Sequence, residues 1–88
     1  MNEVIWKYTL SITSGAQRLE MPQGARLLSV AEQAGKLCLW AMVDPAKSHT
    51  TRYVEVTGTG QPLDAGINRR LIGTVITDDF TAHHVFER

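Results

Sequence analysis

Between Lys36 and Asp44 the chain reads Leu37-Cys38-Leu39-Trp40-Ala41-Met42-Val43, an apolar run closed by Asp44-Pro45. Successive side chains of a strand point to opposite faces, so Leu37, Leu39, Ala41 and Val43 share one face and Cys38, Trp40 and Met42 the other. A strand that is apolar on both faces is a central one that needs cover on two sides. That cover comes from a curled sheet and a crossing segment, from a partner subunit or from a ligand.

The rest of the pattern predicts further strands. Val4-Ile5-Trp6-Lys7-Tyr8-Thr9-Leu10 alternates Val4, Trp6, Tyr8 and Leu10 against Ile5, Lys7 and Thr9, a strand with one buried face. Thr13-Ser14-Gly15 supplies a turn and Gln17 to Met21 a short return strand stopped by Pro22, together a hairpin. Residues 25–33 are read as a strand despite their helix-forming Ala, Leu, Glu and Gln, because Ala34-Gly35 places a hairpin turn before the central run. Residues 51–57 oppose Arg52, Val54 and Val56 to Tyr53, Glu55 and Thr57. Arg70 to Thr77 and Ala82 to Glu87 complete the set around an Asp78-Asp79-Phe80 turn. The expected fold is all-β, a single domain over residues 1–88: a small antiparallel barrel or sandwich of six to seven strands joined as a hairpin meander.

With 88 residues the chain buries about 60% of the surface its unfolded form exposes. Its net stability is about 4–13 kcal/mol, a thin margin that favours a homo-oligomer. Nine basic and nine acidic side chains balance, so the field that drives binding to nucleic acid polymers is missing. The longest apolar stretch falls far short of the ~20 residues of a membrane-spanning helix. A single cysteine and no export signal fit the cytoplasm.

Catalytic chemistry finds little support in the pattern. Cys38 sits mid-strand between two leucines, where a thiol packs rather than attacks. His83 and His84 are adjacent in a strand and point to opposite faces, which prevents a shared metal ion. Asp78 and Asp79 read as turn residues, and no cofactor motif is present. The expectation is a protein that is not an enzyme. The segment Gly58-Thr59-Gly60-Gln61-Pro62-Leu63-Asp64-Ala65-Gly66 is the longest irregular stretch, and such stretches carry function disproportionately. It lacks the lysine and hydroxyl residue of a P-loop, yet Arg52, Arg69 and Arg70 flank it in sequence, and arginine pairs bidentately with phosphate.

Ile5-Trp6-Lys7-Tyr8, Met21-Pro22-x-Gly24-Ala25, Leu39-Trp40-x-x-Val43-Asp44-Pro45, Gly58-Thr59-Gly60-x-Pro62-Leu63, Ile72-Gly73-Thr74-Val75 and His84-Val85-Phe86-Glu87, in this order and spacing, resemble the small proteins of unknown function encoded by phages and prophages. The resemblance spans essentially the whole chain. It implies an accessory protein that works by binding, either sequestering a nucleotide-like small molecule that signals to a host antiphage defence or docking on a host defence protein. A structural or other accessory role in the phage is the further alternative. For sequestration the expected ligand-binding residues are Arg52, Arg69 and Arg70 on phosphates, Gly58, Thr59 and Gly60 at the close approach, and Trp6, Tyr8, Tyr53 and His83 stacking on a base.

Overall fold

The computed structural model describes residues 2–13 and 15–88. Seven strands run in chain order: β1 Val4–Leu10, β2 Ala16–Pro22, β3 Arg26–Gln33, β4 Lys36–Val43, β5 His49–Gly58, β6 Arg70–Ile76 and β7 Ala82–Glu87. They form two antiparallel sheets, ordered β1-β4-β3 (sheet I) and β2-β5-β7-β6 (sheet II), packed face to face. The all-β fold is therefore a sandwich and not a closed barrel. Its Cα extents are 42 × 33 × 16 Å, a thickness that two layers spaced about 10 Å apart produce.

β4 is the centre of sheet I, as its two apolar faces require. Leu37, Leu39, Ala41 and Val43 are at most 1% exposed and meet Met21, Val54, Val56, Val75 and Val85 of sheet II. Each of these leucine, valine and methionine side chains contributes about 1.5–3 kcal/mol by leaving water. The opposite face is covered from within the sheet. Lys7 of β1 reaches across β4 to donate to Gln33 Oε1 of β3 (2.8 Å), and Arg26 of β3 reaches inward to Met42 Sδ (3.0 Å). Long side chains laid over an apolar face bury it with their methylenes while their polar ends stay wet. Cys38 is buried and donates to the Lys36 carbonyl (3.6 Å), whereas Trp40 and Met42 remain half-buried.

Two of the expected hairpins form. Ala34 and Gly35 both take positive φ (53° and 77°) between β3 and β4, the backbone that a two-residue turn matching strand twist needs. β6 and β7 are joined through the turn at Thr77–Thr81, closed by Thr77 and Thr81. The hairpin expected between β1 and β2, and with it the meander, is corrected: β1 pairs with β4 and β2 with β5, in different sheets. Ser14, in the expected turn between them, lies outside the described residues. Burial decides the partition. β4 needs an apolar neighbour on each side, which β1 provides, while β2 carries Arg18 and Glu20 on alternate positions and suits a sheet edge. A β1–β2 hairpin would close a loop of five residues (11–15), whereas the observed Leu10–Leu37 pairing closes one of 26, a difference of about 1.5 kcal/mol in closure entropy that the burial on β4 outweighs.

The sheets approach most closely along β3 and β6. A Cβ on Gly73 would sit 2.9 Å from Val30 Cγ2, nearer than packed carbons come and against a stiff β-branched side chain. Both strands carry a bulge there, between Leu27 and Ser29 and between Leu71 and Gly73, which bends each around the other.

Candidate functional site

The segment from Thr59 to Arg69 leaves β5 and folds back beside sheet II before β6 begins. Gln61 organises its start. The Gln61 N–H donates to the Gly58 carbonyl (3.2 Å), and the Gln61 carboxamide oxygen accepts from the Gly58 N–H (2.8 Å) and from Thr57 Oγ1 (3.4 Å). The Gly58 backbone, expected at the close approach of a ligand, thus already gives its N–H to a side-chain oxygen. Gly58 admits this because its missing Cβ would lie 3.3 Å from that same carboxamide.

Two clefts meet at Val56, Thr57 and Gln61. One, of about 130 Å³, is lined by Ile12, Thr13, Gly58, Thr81 and His83 in addition. The other, of about 250 Å³, is bordered by Gly15, Glu55, Pro62 and Leu63. Strand alternation separates the histidines as expected: His83 faces the first cleft, and His84 stands on the outer face of sheet II. There Thr59 Oγ1 lies 2.7 Å from His84 Nε2 and Thr74 Oγ1 2.9 Å from Nδ1, so the imidazole ties the loop to β6. The turn reading of Asp78-Asp79 also holds. Asp79 Oδ1 accepts from Thr77 Oγ1 (2.5 Å) and the Thr81 N–H (3.1 Å), and these bonds hold its carboxyl below the ordinary aspartate range. Across the turn, burial and the neighbouring Asp78 push the Glu32 carboxyl up.

The arginines do not gather in one pocket. Arg52 and Arg70 both bind Glu87, through Arg52 Nε to Oε2 (2.5 Å) and Arg70 Nη2 to Oε1 (2.9 Å), and Arg52 Nη1 also donates to the Ala25 carbonyl (2.9 Å). These contacts, led by the bond from Arg52, hold the Glu87 carboxyl below the usual glutamate range. Arg69 lies with Glu55 instead, on the outer side of sheet II. It pairs with Glu55 Oε1 and donates from Nη1 to the Asp64 carbonyl (2.9 Å), while Arg88 Nη1 approaches Glu55 Oε2 (3.3 Å). The Arg69 side chain is only 10% exposed, and its Nη2 is buried with no hydrogen-bond partner among the described residues.

The aromatic candidates are likewise dispersed. Trp6 and Tyr8 pack against the core from the inner face of β1. Trp6 meets His49 edge to face at 6.4 Å, and burial pushes the Tyr8 phenol up. Tyr53 is exposed on the outer face of sheet II. Of the ten residues expected to bind ligand, Gly58 and His83 share a cleft, and Thr59, Gly60 and Arg69 belong to the segment beside it.

Sequence reasoning missed Glu55 and Glu87, the carboxylates that gather the arginines, and Gln61. Glu55 had a signal: it is a charged residue between two valines of a strand, and it is 6% exposed. A carboxylate so buried requires a paired cation. Among the described residues no cluster of His, Cys, Asp and Glu has the makings of a metal site, and no helix is long and apolar enough to cross a membrane.

The whole chain matches one family model. It belongs to the family described as Domain of unknown function (DUF7352), matched over residues 1–88. Family membership therefore covers both sheets and the Thr59–Arg69 segment together. Neither the curated proteins nor the solved structures contain a match to this chain.

Proposed function

We propose that this protein is a non-enzymatic binding module whose ligand is a small anion of the phosphorylated or nucleotide-like class, received where the Thr59–Arg69 segment covers sheet II. The observation that carries this reading is Arg69, a guanidinium nine-tenths buried with one nitrogen unpartnered among the described residues. An unmade bond of this kind costs about 1–3 kcal/mol, more for a charged group, and an anion's oxygen would recover it. Two arginines, Arg69 and Arg88, share the single carboxylate of Glu55, so neither has a side-chain carboxylate to itself. Glu55, the carboxylate that holds both arginines, borders the 250 Å³ cleft, which puts the cluster beside an open space. Supporting a non-catalytic role, Cys38 is 2% exposed within a strand and the two histidines face opposite sides of sheet II.

With the sequence's resemblance to phage-borne proteins, this binding becomes sequestration of a nucleotide-derived signal that activates a host defence enzyme. Thermal melts and calorimetry with cyclic dinucleotides, cyclic ADP-ribose-type molecules and inorganic phosphate test it. A bound nucleotide raises the melting temperature by mass action, and Arg69→Gln lowers its affinity at least tenfold while the melting temperature of the free variant is measured separately. A melt unmoved by every one of these ligands at millimolar concentration rejects the reading. Docking on a host defence protein is a second reading, favoured by the exposed Ile5 and Leu28 beside half-buried Trp40 and Met42 on the outer face of sheet I.

A further inference from the structure

The four edge strands are protected very unequally. β3 and β6 lie against each other, each bent by a bulge. β2 carries an Arg18–Glu20 ion pair (3.5 Å), ends at Pro22, and is hooked to Ser11 by its Gln17 carboxamide, which bonds both the Ser11 N–H and carbonyl (2.8 Å each). Charges, prolines and bulges are the devices that discourage strand addition. β1 has only Lys7. It runs through seven unbroken pairs with β4 without a bulge or proline, its residues are mainly β-branched and aromatic, and Val4 and Ile5 are 41% and 57% exposed. Among the described residues nothing pairs with its other edge.

We propose that β1 pairs antiparallel with β1 of a second copy, about a twofold axis at Ile5, joining two three-stranded sheets into one of six strands. The choice of occupant and register rests on charge. Glu3 and Lys7 lie on the same, outer side as Ile5, four residues apart along an extended strand. With Ile5 opposite the partner's Ile5, Val4 stands opposite the partner's Trp6 and Glu3 opposite the partner's Lys7, twice over by symmetry. Opposite charges in directly facing positions stabilise a ladder, and like charges weaken it. Moving the axis to Lys7 would set lysine against lysine, and moving it to Trp6 would set Ile5 against lysine. The Ile5 register alone both buries the exposed apolar residues and pairs the charges. Among the described residues Glu3 has only a long contact to Arg26 (3.9 Å), which leaves its carboxylate available, and Lys7 exchanges its exposed bond to Gln33 Oε1 for the partner's carboxylate.

Sedimentation equilibrium of the full chain from micromolar to millimolar concentration tests the proposal, with circular dichroism confirming that each variant is folded. The wild-type chain dimerises in this range. Glu3→Lys and Lys7→Glu each weaken the dimer about tenfold, because each turns two attractive pairs into repulsive ones. Mixing the two variants in equal amounts restores association, since in the mixed dimer every Glu faces a Lys. A wild-type chain that stays monomeric throughout overturns the proposal and leaves the edge to an unrelated strand. A dimer indifferent to both substitutions, or one that the mixture fails to restore, overturns the register and the β1 pairing with it.

Discussion

Glu55 and Glu87 make an instructive pair. They lie on neighbouring strands, β5 and β7, displaced by one residue: Val54 opposes Glu87 and Glu55 opposes Phe86. One residue of displacement reverses the face, so Glu87 turns inward at one end of the sandwich and Glu55 outward beneath the Thr59–Arg69 segment. The adjacent Arg69 and Arg70 divide in the same way, one to each carboxylate. Each site then holds two arginines on one glutamate, but they differ in closure. Arg52 also bonds the Ala25 carbonyl and Arg70 is 62% exposed to water, whereas Arg69 is buried with a nitrogen that has no partner among the described residues. The Glu87 site is a finished structural joint, and the Glu55 site is the one that keeps an unused hydrogen-bond donor among the described residues.

Substitution should separate the two, most strongly at Glu55. Glu55→Ala strands the buried Arg69 guanidinium and is expected to cost about 3–5 kcal/mol in urea unfolding, while Glu55→Leu combined with Arg69→Leu recovers most of it. A cost below about 1 kcal/mol would mean that water already reaches Arg69 and that the contrast between the sites is smaller than burial implies. Arg52→Ala comes next. It removes charge-assisted bonds to Glu87 and the Ala25 carbonyl, and should lower stability by about 1–3 kcal/mol.

Acid unfolding probes the Glu87 joint without mutation. Because its folded-state pKa lies below that of an ordinary glutamate, the unfolded chain takes up the proton first as pH falls. The stabilisation is complete above the unfolded glutamate pKa of about 4.3 and is lost as pH drops through the lower folded value. Glu87→Gln should flatten that part of the stability profile, and an unchanged slope would assign it to other carboxylates. The smallest effect belongs to Arg70→Ala, no more than about 1 kcal/mol, because this exposed arginine is screened by solvent. If Arg70 proves as costly as Arg52, the ranking of the two partners of Glu87 is wrong.

The strands were legible because each carries its own evidence. Alternation in Val4–Leu10 and Thr51–Thr57, the doubly apolar run at Leu37–Val43 and the Ala34-Gly35 turn are local patterns, and the observed strands follow them. Residues 25–33 came out as strand against their helix propensity, since the hairpin with β4 offers pairing that an isolated helix lacks. The binding residues were less legible. Arg52, Arg69 and Arg70 flank the glycine segment in sequence, yet which carboxylate each meets depends on register between β5, β6 and β7, and register is a property of pairs of strands. Gln61 capping the Gly58 N–H had a local cue, a carboxamide three residues beyond a glycine turn.

By itself, then, the sequence determined the strands, their buried faces and the centrality of β4, all consequences of side-chain periodicity and turn chemistry. The tertiary structure decided which strands pair, and it set β1 beside β4 rather than β2 because burying two apolar faces of β4 outweighs the convenience of a short hairpin. It also decided that Arg69 and Arg70 part company and that one of them is buried without its full set of bonds among the described residues. Those outcomes rest on contacts between residues distant in the chain, whose energies no local pattern encodes.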